Sequence, residues 1–277
     1  MNPKVSSRLS LIVRWVVLIA ALILIYLPLA VVVAYSFSPS KTIGGEFGSF
    51  TFSLYAKLLR NEALLAALKN TLIIGVISAL LATALGTTAA VGIHYMRKKT
   101  QALADTASQI TVVNAEIVTA VAFFVLMLFV RDMIRIPVDF GMGWLIVTHT
   151  VITTPYVILT VAPRLKQLNP NLLEASMDLG AGPIRSLVTV LLPQLAGAMI
   201  SGFALAFTLS LDDFVVTKMN SFGSGIDTIS TFVYSRITKK GFPIEIRALS
   251  TIIFVAVLTV LIVFNIVKNK KQKQNHK

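Results

Sequence analysis

Residues 169–193 read NPNLLEASMDLGAGPIRSLVTVLLP and lie between two long apolar runs. The stretch has the grammar of two short helices joined at a glycine. Asn169 is placed to cap the first helix, and Pro170 suits its first turn, where a missing N–H costs nothing. Leu172, Leu173, Ser176 and Leu179 fall near one face at helical spacing. Gly180 can take the left-handed conformation that ends the first helix. Gly182 frees the corner, Pro183 can start the second helix, and Pro193 marks a turn back toward apolar chain. Arg164 and Lys166 precede the stretch and Arg185 lies inside it, which suits the cytoplasmic side of a membrane.

The surrounding chain supplies that membrane. Of its 277 residues 56% are hydrophobic and only 13% charged, with a mean hydropathy of +0.81. A soluble domain of this size rarely carries so few charges, whereas a protein of many spans does. There are no cysteines, so a disulfide framework and a thiolate metal site are excluded. The formal charge of +13 raises nucleic acid as a partner. The basic residues, however, flank apolar runs instead of forming a basic domain. They read as topology signals and contacts to anionic lipid, and no nucleic acid is expected.

The pattern predicts six spans. Lys4, Arg8 and Arg14 precede the first, Trp15 to Tyr35, which is long for a signal peptide and lacks a small-x-small cleavage site, so it reads as uncleaved. Pro28 is expected to kink it. Ser36 to Lys69 reads as an external loop with Gly44, Gly45 and Gly48. Phe50, Phe52 and Tyr55 in that loop either anchor at the lipid interface or close over a substrate. The second span is Asn70 to Ile93, where Ser78, Ala82, Gly86 and Ala90 form a small-residue stripe for close helix packing. His94 to Lys99 is a cytoplasmic turn, and His94 has no second histidine at ligand spacing.

The third span, Ala107 to Val130, carries Glu116 about nine residues in, roughly 13 Å deep at ~1.5 Å per residue. Such a charge is expensive in hydrocarbon and is expected to face a cavity or a partner. Arg131, Asp132, Arg135 and Asp139 follow as a solvated external loop. The fourth span, Gly141 to Ala162, contains His149 and Pro155; Thr153 and Thr154 can satisfy backbone groups that the proline frees. His149 reads as a polar contact between helices, with a proton relay as the alternative. The fifth span starts at Leu195 and runs through Ser210-Leu211-Asp212-Asp213 to about residue 216. Thr217 to Glu245 reads as external, with tight turns at Gly223 and Gly225. The sixth span is Ala248 to Val267, and a basic tail closes the chain. Six spans put both termini in the cytoplasm. Lys218, Arg236, Lys239 and Lys240 then sit outside against the usual bias, which long loops obey weakly.

Catalytic chemistry is missing. There is no G-x-x-x-x-G-K-[ST] loop for ATP, no HExxH and no GxSxG. Asp212 and Asp213 do not form a protease dyad, because adjacent side chains point about 100° apart on a helix. The chain therefore reads as a transport component with no cofactor and no metal. Glu116, Asp212 and Asp213 are the only carboxylates placed within the spans or at their margins. Either they face a shared path and favour a cation, or the two aspartates sit at the wet end of the fifth span beside Lys218.

A resemblance narrows these readings. Glu174-Ala175-Ser176, Gly180, Val190, Leu192 and Pro193 resemble the EAA loop of ABC-importer permeases, the binding-protein-dependent transport inner-membrane components. Ser176 stands where a second alanine is usual, and Val190 where isoleucine is usual. The run FTLSLDDFVVTKM, which follows the loop, is similar to the matching segment of spermidine/putrescine importer permeases, above all the second of their two permease subunits. The resemblance covers nearly the whole chain. It implies the type I ABC-importer permease fold, an all-α membrane protein of six transmembrane helices in a bacterial plasma membrane. It implies that Glu174, Ala175, Gly180, Leu192 and Pro193 couple to a separate ATPase dimer, which binds the ATP and Mg. It implies a second homologous permease subunit, an extracytoplasmic polyamine-binding protein, and a polyamine path touching Glu116, Ser210, Asp212 and Asp213. Alternatives are a permease of the same kind for an iron or opine-like solute, a gradient-driven carrier, and a structural membrane scaffold.

Overall fold

A computed structural model describes residues 3–40, 45–135, 139–240 and 244–274, with side chains over 13–40, 45–135, 139–238 and 244–259. Gly44 and the side chains of Lys4, Arg8, Lys239, Lys240 and the basic tail lie outside the described residues. The described chain is helical: α1 (Pro3–Tyr35), α2 (Ser53–Arg60), α3 (Glu62–His94), α4 (Lys98–Val113), α5 (Glu116–Asp132), α6 (Met142–Gln167), α7 (Leu172–Asp178), α8 (Pro183–Ser186), α9 (Leu192–Asp212), α10 (Val215–Asn220), α11 (Ile229–Lys240) and α12 (Glu245–Gln274). Four helices are long and apolar enough to cross a membrane among the described residues, or five if the bent pair α4–α5 counts as one.

The chain divides into two compact units, residues 1–65 with 236–277, and residues 66–235. In the first, α12 packs on α1 and on α2. The apolar window of α1 is entirely unburied, with Ile23, Leu24 and Ile25 outward. A face of that kind is stable only against lipid or another protein. The helix is assigned through Pro28 without interruption. The expected loop after it contains α2. Its aromatics cluster: Phe37 stacks on Phe50 at 5.0 Å between centroids and meets Phe52 edge-on at 5.5 Å. The tail is not separate, since the backbone of α12 continues helical to Gln274.

In the second unit α6 is the central helix. Val157 on α6 lies between two glycines, Gly86 of α3 and Gly202 of α9. A Cβ on Gly86 would stand 2.7 Å from the Val157 Cβ, and one on Gly202 would stand 3.1 Å from its Cγ1. The small-residue stripe of α3 is thus a contact surface: Ser78, Ala82 and Ala90 are buried, and the core joins the two alanines to Val157, Val161, Leu195 and Ala206. Without a hydrophobic drive inside lipid, this close approach is what binds helix to helix.

Four expectations are corrected. Residues 107–130 do not form one straight span. The chain bends by 102° between α4 and α5, because Asn114 and Ala115 are both extended, at ψ 142 and 131. The β-branched run Thr111-Val112-Val113 favours helix weakly, and the Asn114 amide leaves the helix to donate to Thr119 Oγ1 at 3.2 Å. Glu116 then opens α5, where a carboxylate complements the free N–H groups. Glu116 thus sits at a corner and not in the middle of a straight span.

Second, Pro193 does not turn the chain. The helix runs from Pro183 to Asp212, because residues Leu187–Leu191 open into a π turn in which the Leu192 N–H bonds the Leu187 carbonyl. The wider turn carries the helix past a residue that has no N–H to give. Third, the segment after Asp213 is not simply external. Gly223 and Gly225 do turn at φ +72 and +69, but α10 precedes them and packs against α5. Its Asn220 is fully buried, accepts from Trp144 Nε1 at 2.9 Å and donates to the Ala120 carbonyl at 3.2 Å. The hydroxyls of Thr153 and Thr154 also differ from expectation. They bond the carbonyls of His149 and Thr150, at 2.7 Å each, and not that of Val151, whose helical partner Pro155 removes.

Candidate functional site

Two sites lie in the second unit, at opposite ends of the helix Pro183–Asp212. Its 30 residues span roughly 45 Å at ~1.5 Å per residue.

At the Pro183 end stands a helical hairpin. α7 ends in a Schellman motif: Gly180 takes φ +89, its N–H bonds the Met177 carbonyl at 2.8 Å, and the Ala181 N–H bonds that of Ser176 at 3.2 Å. Pro183 is at the first turn of α8, as expected. The capping at the start differs. α7 begins at Leu172, so Asn169 and Pro170 precede it, and the Asn169 Oδ1 accepts from the Asn171 N–H at 3.0 Å as a turn. Leu173 and Leu187 pack onto the core, whereas Leu179 is 90% exposed because it follows the last helical residue. Ser176, the position where alanine is usual, donates to Ser186 Oγ at 3.0 Å across the hairpin. Glu174, Ala175, Gly180 and Pro193 are exposed and Leu192 is half-buried. With Leu179 and Ile184 they present a mixed apolar and acidic outer surface.

At the Asp212 end is a cavity of about 190 Å³. Three helices and a junction build it: Thr111 and Asn114 close α4, Glu116 and Thr119 open α5, Thr153 and Tyr156 come from α6, and Asp212 with Asp213 and Phe214 form the α9–α10 junction. Glu116, Asp212 and Asp213 thereby line one cavity, and none of the lining side chains among the described residues is basic. Neither aspartate forms an ion pair with Lys218 among the described residues. Asp212 ends α9 and is exposed. Asp213 is held: Oδ2 accepts from the Thr217 N–H and from the Thr217 hydroxyl, both at 2.8 Å, and Oδ1 accepts from the Val216 N–H at 3.3 Å. Adjacent aspartates thus divide their roles, one free and one fixed.

Ser210, expected on the path, is not among the lining residues. It is buried behind the wall, 3.2 Å from Ser78 Oγ and 2.7 Å from His149 Nδ1. His149 is fully buried, and its Nε2 lies 3.0 Å from Thr217 Oγ1. The interhelical polar contact expected for His149 is therefore present. What sequence reading missed is its proximity to Asp213, along with Tyr156 and Phe214. A histidine in an apolar run was the only available signal.

Comparison with known proteins places this architecture. The sequence profile of the binding-protein-dependent transport system inner membrane component family matches residues 82–269. The chain belongs to this family. The permease is 34% identical over 248 residues to the putrescine transport system permease protein PotI of Escherichia coli (strain K12), covering 88% of this chain and 86% of that one. It is 30% identical over 251 residues to the spermidine/putrescine transport system permease protein PotC of the same strain, covering 91% and 92%. Among solved structures, it resembles a chain of a bacterial ABC transporter involved in the import of the acidic polysaccharide alginate, with a TM-score of 0.68 at 16% identity over 94% of this chain and 95% of that one. That likeness concerns the fold alone. The permease is a transport component of an inner membrane.

Proposed function

We propose that this permease forms, with a second homologous subunit, the path by which an ATP-driven importer takes up a polyamine. The observation that carries the proposal is the cavity lined by Glu116, Asp212 and Asp213, with no basic side chain among its described lining residues. A polyamine is a flexible chain of ammonium groups. Carboxylates attract it directly, more strongly where water is scarce, while the faces of Tyr156 and Phe214 add cation–π attraction. The names of the two Escherichia coli relatives point to the same substrate class. Ser210 supports the wall from behind.

In this reading residues 1–277 form one permease domain with six crossings, α4–α5 being one broken crossing and α12 the sixth, and both termini cytoplasmic. The hairpin docks on a separate ATPase dimer that binds ATP and Mg, through Glu174, Ala175, Gly180, Leu192 and Pro193. An external binding protein delivers the polyamine. The helix Pro183–Asp212 links the two ends, so a push on the hairpin reaches the residues that hold the cation.

The test is uptake of labelled putrescine and spermidine into vesicles carrying the permease coexpressed with the products of neighbouring chromosomal genes. Uptake that needs ATP, that unlabelled spermidine competes away and that Asp212→Asn weakens supports the proposal. Uptake of an iron or opine-like solute instead, unaffected by polyamine, refutes the substrate. Transport on an ion gradient without a copurifying ATPase refutes the class.

A further inference from the structure

Behind the acidic wall runs a line of polar groups that reaches back to two transmembrane helices, α6 and α9. Ser78 of α3, Ser210 of α9 and His149 of α6 meet in sequence, and His149 passes the contact to Thr217 of α10 and so to Asp213. All of them except Asp213 are at most 4% exposed, and the Asp213 side chain is 5% exposed. Polar groups buried this deeply must be matched donor to acceptor.

The matching assigns the hydrogens. Asp213 Oδ2, as a carboxylate oxygen, only accepts, so the Thr217 hydroxyl donates to it at 2.8 Å. Thr217 Oγ1 therefore has lone pairs left for His149, and Nε2 must carry the hydrogen of the 3.0 Å contact. In the neutral ring Nδ1 then accepts from Ser210 at 2.7 Å. Ser78 spends its own hydrogen on the Ile74 carbonyl at 2.6 Å, so its 3.2 Å approach to Ser210, whose hydrogen is also committed, is a contact without a donor, and the line ends at Ser210. The other neutral tautomer would strip the hydrogen from the 2.8 Å contact to the carboxylate, a far worse loss. A doubly protonated ring would place a cation 3.6 Å from Asp213 and cancel the charge that the cavity offers. Asp213 is the acidic group paired with the ring among the described residues, and full burial of the ring opposes its charged form.

We propose that His149 is a positioning residue: as a neutral ring with its hydrogen on Nε2, it orients the Thr217 hydroxyl, which holds the Asp213 carboxylate at the cavity wall for a substrate ammonium group. The arrangement steadies a negative charge without neutralising it. It also ties the cation-binding wall to α6 and α9, so a shift between those helices moves the carboxylate. The inference rests on the reading of the cavity as the polyamine's route, and deepens it by naming what sets the carboxylate's position.

The experiment uses the full importer in proteoliposomes, with labelled putrescine, and separates KM from Vmax per copurified ATPase. Thr217→Val keeps the shape and removes the hydroxyl; Thr217→Ser restores it. Thr217→Val and His149→Gln are expected to raise KM about tenfold with Vmax within about twofold of wild type, while Thr217→Ser stays near the wild-type KM. Glu116→Gln and Asp212→Asn are measured alongside. If those two raise KM but Thr217→Val and His149→Gln do not, the positioning role is overturned and the cavity reading stands. If none of the carboxylate substitutions changes KM, the cavity reading falls and takes this inference with it. Loss of the assembled complex in both Thr217 variants marks a purely structural role and also overturns it.

Discussion

Substitution at Gly180 separates two demands that a coupling hairpin makes on one residue. The first is conformational. At φ +89 a residue with a Cβ is strained, by about 1–2 kcal/mol, and asparagine tolerates the region better than alanine. The second is space, and within this chain it is nil: a Cβ at Gly180 meets nothing within 4 Å. Gly180→Ala therefore carries the strain alone. Gly180→Asn carries less of it. Gly180→Trp carries the same strain plus a bulk that only a docked partner can feel. In proteoliposomes with the ATPase present, Gly180→Asn should retain most of the uptake, and Gly180→Ala should lose a few-fold to tenfold. Gly180→Trp should hydrolyse ATP without importing, though it still inserts in the membrane. The comparison of Ala with Trp is the decisive one. Equal uptake by the two would mean that nothing docks over Gly180. Wild-type uptake by Gly180→Trp would end the coupling role altogether.

The acidic wall should respond to charge: Glu116→Gln and Asp212→Asn are each expected to raise the uptake KM about tenfold or more, equivalent to ~1.4 kcal/mol, while ATPase copurification is unchanged. Helix packing should follow the glycine contacts. Gly86→Ala, which brings a Cβ to 2.7 Å from the Val157 Cβ, should destabilise the detergent-solubilised complex by about 1–3 kcal/mol. Gly92→Ala, with nothing within 4 Å, should be neutral or better in a thermal-unfolding assay. Across the hairpin, Ser176→Ala leaves the buried Ser186 hydroxyl without the partner now at 3.0 Å and should cost about 1 kcal/mol, most of it regained in Ser176→Ala with Ser186→Ala.

Much of this permease can be read from local pattern. Uncharged runs longer than a soluble helix needs announce the membrane, because in lipid the backbone must satisfy itself within each segment. Gly180, between a helix and Ala181-Gly182-Pro183, states its own turn, since few other residues enter that conformation cheaply. The stripe Ser78, Ala82, Gly86 and Ala90 declares a contact face, although not that Val157 fills it. Family membership also lies in linear motifs.

Packing alone settled the rest. Apolar character did not reveal the corner at Asn114, because composition is the same on both sides of a bend; extended backbone at two residues puts Glu116 at that corner, where it lines the cavity. Periodicity placed Asp212 and Asp213 about 100° apart on one helix, yet the helix stops between them. One is therefore free to meet a ligand while the other is clasped by Thr217. Nor does spacing along the chain relate His149 to Asp213. Their meeting depends on how α6, α9 and α10 cross, and each crossing is set by small residues and hydrogen bonds contributed by distant segments. Local order is a property of neighbours in the chain; a binding wall is a property of neighbours in space.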